Sequence, residues 1–311
     1  MRVTGNTFSA NFLNQVNRLT VRQQQLQNQA ATGQRVTAPE DDPAAMQRVL
    51  GLKTEQQNLT QYSNTIAALQ DRAMSSFNAI KGVKTVSDRA GEIATMADGT
   101  RSPEELKTYA SEVSELIKQA VQTMNSQQGD QYLFGGTASS QPPFTLTTDV
   151  DGNVTGVTYQ GNTTVVENEI GSGSAISIDA PGENTSGAGA RGIITDSRSG
   201  ADFFNHLISL RDHLLAGDTA AIASTDRPAL AKDEENLIYH VSNNGVMQSR
   251  LETAKTAGNT RKDSLEQVIS READADLTET LVSLSQAQTA YQAALQSGAS
   301  LMKLSLMNYL G

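Results

Sequence analysis

Residues 62–97 read YSNTIAALQDRAMSSFNAIKGVKTVSDRAGEIATMA, and in them Tyr62, Ile66, Leu69, Ala73, Ser76, Ile80, Val83, Ser87, Ala90, Ala94 and Ala97 recur at alternating steps of four and three. That spacing keeps one line of side chains on one face of a helix. Phe77, Val86 and Ile93 flank the line and widen it into a stripe that calls for several partner helices rather than one. At 1.5 Å per residue these positions alone extend over ~54 Å, so the stretch predicts a helical rod.

Working outward toward the N-terminus, Phe12, Val16, Leu19, Gln23, Leu26 and Ala30 keep the same alternation and predict a first amphipathic helix. Thr32-Gly33 ends it. The segment 33–43 then reads as a loop in which Asp42 is the N-cap of the next helix and Pro43 its first residue, where the missing N–H costs nothing. In the other direction, residues 98–105 break the rod and restart it. Ser102 is the expected N-cap there, with Pro103 behind it and Glu105 completing a capping box. Leu106, Val113, Leu116, Ala120 and Met124 mark an antiparallel return helix.

Composition changes near Gly129. Residues 135–200 hold twelve of the 24 glycines and neither lysine nor methionine. Residues 144–147 and 154–159 around Asp151-Gly152-Asn153 read as strand, turn, strand, with further strands expected at 163–169 and 175–178 and a flexible connection over 181–192. Helical patterning resumes at 202–215 and from Leu230 onward. It is strongest at the end, where Leu277, Leu281, Leu284, Gln288, Tyr291, Leu295, Gly298 and Met302 form one line beside Leu301, Leu304 and Leu306. The expected fold class is therefore mainly α with a β-rich insert: an elongated antiparallel helical bundle or coiled coil built from both termini, with a small β domain at its far end. The expected segments are 1–42, a terminal helix and loop; 43–134 and 201–270, the two parts of the rod; 135–200, the insert; and 271–311, the closing helix.

The 311 residues carry a formal charge of −10, no cysteine and no tryptophan, and about a third of them are Ser, Thr, Asn or Gln. Without cysteine there is no disulfide scaffold, thiolate metal site or cysteine nucleophile. The acidic balance opposes general attraction to nucleic acid or anionic lipid. No run of ~18 apolar residues predicts a membrane span, and residues 1–8 lack the pattern of a cleavable secretory signal. Neither nucleic acid nor membrane is an expected partner.

The signatures of phosphate loops, zinc hydrolases, calcium loops and serine hydrolase elbows are missing from the sequence. His206 and His213 share a helical face, but ~10 Å of rise separates them, too far for one metal ion. Asp41 and Asp42 read as a turn and cap rather than a catalytic carboxylate pair, and Gly135-Gly136 reads as a turn rather than a phosphate cradle. No catalytic, metal or cofactor residue is expected. The apolar stripes belong to a core, and the two terminal ones must either pair with each other or meet other subunits; periodicity does not choose between these.

Three groups of residues carry a family resemblance. The loop Thr32-Gly33-Gln34-Arg35-Val36-Thr37-Ala38-Pro39-Glu40-Asp41-Asp42-Pro43 resembles the signature loop that follows the first helix in the bacterial flagellin superfamily, with Gln34 where relatives often carry lysine. The proline after the two aspartates, with Tyr132-Leu133-Phe134-Gly135-Gly136 and Pro142-Pro143-Phe144, is more similar to that superfamily's hook-associated branch at the hook-filament junction than to filament flagellins. The closing helix from Asp276-Leu277 through Ser285-Gln286-Ala287-Gln288 to Tyr291-Gln292-Ala293-Ala294-Leu295-Gln296 is similar to the superfamily's C-terminal helix.

The resemblance implies a non-enzymatic structural protein of the bacterial flagellum, exported through the flagellar type III channel without a cleavable signal peptide. It implies a ring of like subunits between the first hook-associated protein and flagellin, and an export chaperone that holds the C-terminal helix. It also assigns an assembly interface to Phe12, Val16, Leu19, Leu26, Leu277, Leu281, Leu284, Tyr291, Leu295, Leu301 and Leu304, and the signature loop to Gly33, Arg35, Pro39, Asp41, Asp42 and Pro43. Two other readings compete with the junction: a short flagellin that builds the filament itself, and an adhesin displaying the insert on a helical stalk.

Overall fold

The computed structural model describes the backbone of residues 5–150 and 152–310 and the side chains of 10–150 and 152–300. The chain forms two compact units, one of residues 59–259 and one of residues 1–58 with 260–311.

The first of these is built on long helices. Helix α2 (Pro43–Met96) contributes Ile80, Val83, Val86, Ala90 and Ile93 to the main core, and α3 (Pro103–Met124) returns antiparallel with Leu106, Val113, Ile117 and Met124. The turn between them is closed by the expected capping box: Ser102 Oγ accepts from the Glu105 N–H at 3.3 Å, and Glu105 Oε2 accepts from the Ser102 N–H at 2.9 Å. Arg89 bonds Glu112 at 2.6 Å across the pair. Farther along, α4 (Phe203–Ala216), a short α5 (Thr219–Ala221) and a π-helical turn over Ile222–Asp226 lead into α6 (Arg227–Ala273). The π turn lies just before Pro228, which has no N–H to give the carbonyl four residues back, so the helix widens there. Arg227 in turn caps the far end of α2, donating to the carbonyls of Ala94 and Thr95 at 2.9 and 2.8 Å.

The β-rich insert consists of hairpins and one small mixed sheet. Strands β1 (Gln127–Gln128) and β2 (Gln131–Tyr132) pair, as do β3 (Phe144–Thr148) and β4 (Val154–Tyr159), the latter at the expected place. The next hairpin departs from expectation: β5 is Asn168–Gly171 and β6 is Ser174–Ile176, because Gly173 at φ +70° supplies the turn and draws the pairing toward it, leaving 163–167 outside the strand. In the last sheet β7 (Glu183–Asn184) runs parallel to β8 (Thr195–Asp196), and β9 (Ala201–Asp202) runs antiparallel to it.

Residues 181–192 are an organised loop rather than the flexible connection their composition predicts. Asn184 is fully buried; its Nδ2 donates to the carbonyls of Ala188 and Ala190 at 2.7 and 2.6 Å, and its Oδ1 accepts from the Ser186 N–H and hydroxyl and the Gly187 N–H. The Gly135-Gly136 turn expected from sequence is enforced sterically, since a Cβ on either residue would run into backbone oxygens of Ala138 or of Asn162 and Thr164.

In the second unit α1 (Gly5–Thr32) lies antiparallel to α7 (Leu277–Leu310), and the start of α2 lies beside the end of α6. Among the described residues, Leu26, Val36, Ala45, Val49, Leu265, Ala273 and Ala287 are its buried apolar residues.

Candidate assembly site

The loop 33–43 ties α1 to the chain's closing elements. Gly33, at φ +71°, ends α1 in the left-handed conformation that favours glycine, and its N–H bonds the Gln29 carbonyl at 2.9 Å. The Gly33 carbonyl accepts from the Ala275 N–H at 2.8 Å, and Gln34 makes an antiparallel bridge with Asp274. Arg35 joins three partners: its N–H donates to the Ala273 carbonyl at 2.6 Å, its Nη2 to the Glu272 carbonyl at 2.8 Å, and its Nη1 lies 3.5 Å from Asp42. Arg48 reaches the carboxylate of Glu272 at 2.7 Å. Asp276 caps α7 through the N–H groups of Thr278 and Glu279.

Asp41 and Asp42 have the conformational roles their spacing predicts. Asp42 Oδ1 accepts from the Ala45 N–H at 3.0 Å and caps α2, with exposed Pro43 as its first residue. Asp41 Oδ2 accepts from the N–H of Thr37, the N–H of Ala38 and the Thr37 hydroxyl, each at 3.0 Å, closing a tight loop around exposed Pro39. The backbone N–H groups of Ala38 and Thr37 hold the Asp41 carboxyl below its ordinary range, and that of Ala45 does the same for Asp42.

The residues predicted for the assembly interface divide into two groups. Phe12, Val16, Leu19, Leu284 and Tyr291 are half-buried and Leu26 is buried, whereas Leu277, Leu281 and Leu295 are 48%, 56% and 43% exposed. Leu301 and Leu304 lie outside the residues whose side chains are described. Among the described residues of α7 the buried positions are Thr280, Ala287 and Gly298, a line displaced to one side of the leucines. Small side chains on that line let the larger ones of α1 approach, so the apolar stripe of α7 is wider than α1 covers. Sequence reading missed the partners of the loop, Glu272 to Asp276. They lie more than two hundred residues downstream, and their one local signal, Asp276 as an N-cap, says nothing of what it meets.

The histidines of α4 serve the core of the other unit. His206 Nδ1 and Asp233 Oδ2 are 2.7 Å apart, as are His213 Nδ1 and Asp226 Oδ2, and both carboxylates are buried. Ser209 donates to Asp226 at 2.7 Å. The carboxylate therefore stands between hydroxyl and imidazole, whereas in a Ser-His-Asp triad the imidazole stands between hydroxyl and carboxylate. Among the described residues no three His, Asp or Glu side chains are grouped to hold a metal ion, and no helix is long and apolar enough to cross a membrane.

The chain joins long helices, terminal helices packed on each other and a β-rich insert, and its residues 3–139 match the family described as the bacterial flagellin N-terminal helical region. More particularly, the chain is 24% identical over 293 residues to flagellar hook-associated protein 3 of Escherichia coli (strain K12), a match covering 89% of this chain and 90% of that protein. Its fold is similar to that of a putative flagellar hook-associated protein from Vibrio parahaemolyticus, with a TM-score of 0.62 at 16% identity over 75% of this chain and 100% of that one. It is also similar to the flagellar junction protein FlgL from Legionella pneumophila, with a TM-score of 0.54 at 15% identity over 73% and 99% of the two chains. The likeness to the flagellin superfamily and to its third hook-associated protein is thereby shown.

Proposed function

We propose that this chain is a structural protein of the bacterial flagellum and forms the junction ring between the first hook-associated protein and the flagellin filament. The observation that carries the reading is the two-sided character of α7: one face is packed on α1, and beside it Leu277, Leu281 and Leu295 remain open to water. Burying such side chains against neighbouring subunits releases ~25 cal/mol per Å2 of apolar surface, which drives assembly without any chemical step. The names of the relatives supply the flagellar setting.

In this reading residues 1–42 and 271–311 are the assembly segments, residues 43–134 and 201–270 form the rod, and residues 135–200 are the outward domain. The subunit leaves the cell through the flagellar type III channel without a cleavable signal, and a chaperone covers the apolar C-terminal helix until export. The clasp formed by Arg35, Asp42, Arg48 and Glu272 fixes how the first helix leaves the loop.

Deletion of the gene, followed by electron microscopy of the cell surface and an assay for flagellin in the medium, tests this. Bare hooks with intact flagellin lost to the medium are the expected result. Absence of the filament with no other flagellin released makes the chain the filament subunit. Normal filaments remove both assembly roles and leave the adhesin.

A further inference from the structure

Helical glycines in this chain have open space where a side chain would stand at Gly51, Gly91, Gly245 and Gly258, and at Gly82 a Cβ would come 3.2 Å from a Thr123 methyl. Gly298 differs. A Cβ there would overlap the ring of Phe12, lying 2.6 and 2.8 Å from Cε2 and Cε1 and closer still to Cζ. The ring of Phe12 is thus seated directly on the bare backbone of α7. At the other end of the pair, the Gly33 carbonyl holds the Ala275 N–H at 2.8 Å. Between these anchors Leu26 is buried, Val16 and Leu19 are half-buried, and α7 buries the small residues Thr280 and Ala287.

From this we infer that Phe12 and Gly298 form a register lock: the ring fits only where α7 has no side chain, and that fit selects one longitudinal and rotational setting of the two terminal helices. The consequence rests on the function proposed above. Rotating α7 to relieve an added methyl would turn Leu277, Leu281 and Leu295 away from the positions they now occupy, so the same pair that packs the subunit also decides which apolar residues face its neighbours. Helix propensity alone predicts the opposite sign for the key variant, because alanine is a better helix former than glycine.

The chain has no cysteine, so an introduced pair supplies its only thiols. In full-length protein produced in cells lacking their own copy, Val16→Cys with Ala294→Cys reports the present register, and Val16→Cys with Ala287→Cys reports a slip of one heptad. Disulfide formation by the first pair is expected in the parent, to fall several-fold with Gly298→Ala, and to return when Phe12→Leu is added, since leucine lacks the outer ring atoms that meet the methyl. Undiminished cross-linking in Gly298→Ala overturns the lock, as does a loss that Phe12→Leu fails to restore. Swimming of the same cells separates the lock from the function it rests on. Loss and recovery in step with cross-linking supports both; cross-linking that behaves as expected while swimming never changes keeps the lock and removes the assembly role of α1 and α7.

Discussion

The guanidinium of Arg35 donates to the main-chain carbonyl of Glu272 at 2.8 Å, joining residues 237 positions apart in the chain. The same arginine lies 3.5 Å from Asp42, the cap of α2, while Arg48 of that helix holds the carboxylate of Glu272. The signature loop is thus one half of a clasp whose other half is the link between α6 and α7.

Asp41 supports the loop half of this clasp. Replacing it with alanine removes the acceptor for two backbone N–H groups and one hydroxyl and is expected to cost about 1 kcal/mol, with Asp41→Asn costing less. Its carboxyl sits below the unfolded value of 3.8, so its contribution is complete above that pH and is lost as pH falls through the folded value. Faster hydrogen exchange at the Ala38 amide in Asp41→Ala is the check; unchanged exchange would show the carboxylate idle.

Two leucines separate folding from assembly. Leu26 is 3% exposed, and Leu26→Ala is expected to destabilise the folded chain by about 3 kcal/mol. Leu281 is 56% exposed, so Leu281→Asp leaves thermal unfolding of the isolated chain unchanged while abolishing rescue of a deletion strain. Normal swimming with Leu281→Asp would remove that residue from the interface.

Asn184 is what turns a glycine-rich stretch into a fixed loop. Asn184 is itself fully buried, and Asn184→Ala leaves five hydrogen bonds unmade, an expected loss of about 2–4 kcal/mol. Trypsin should then cut after Arg191, whose side chain now lies 4.3 Å over the Tyr239 ring and bonds Asn236. Resistance equal to that of the parent chain would show that other contacts hold the loop.

Stability should peak between two histidine titrations. Burial pushes His240 down to about 4 from 6.5, so the unfolded chain binds the extra proton between those values, and up to about 3 kcal/mol present above pH 6.5 is lost as pH falls toward 4. His206 moves the other way: its hydrogen bond to Asp233 raises it, so its contribution is full below 6.5 and is lost as pH rises through the folded value. The unfolding midpoint against pH should therefore be bell-shaped, and His240→Gln, which retains a donor for the Gly192 carbonyl, should flatten the acid limb. An acid limb unaltered in that variant would contradict the assignment.

Legibility in the sequence followed the range of the forces involved. The line from Tyr62 to Ala97 gave its helix, Ser102 to Glu105 its capping box and Asp42-Pro43 the start of α2, because each is settled by neighbours a turn away. The β5–β6 hairpin came out displaced, since two glycines close together offer competing turns and only pairing chooses. The π turn before Pro228 carried no signal that was read, and the 181–192 loop was misjudged because composition counts glycines and not the one asparagine that gathers them. In the candidate assembly site the apolar line of α7 was visible as a heptad, but its division into covered and open residues was not.

By itself, then, the amino-acid order determined the mainly helical class, the β-rich insert, the caps and the amphipathic terminal helices, all consequences of side-chain spacing along a single helix or strand. Only the tertiary structure decided that Phe12 rests on Gly298, that Arg35 reaches Glu272, and which leucines of α7 stay open. A helix's periodicity states how wide its apolar stripe is. The width its partner covers depends on how closely two backbones approach, and that is set by a glycine and an aromatic ring at opposite ends of the chain.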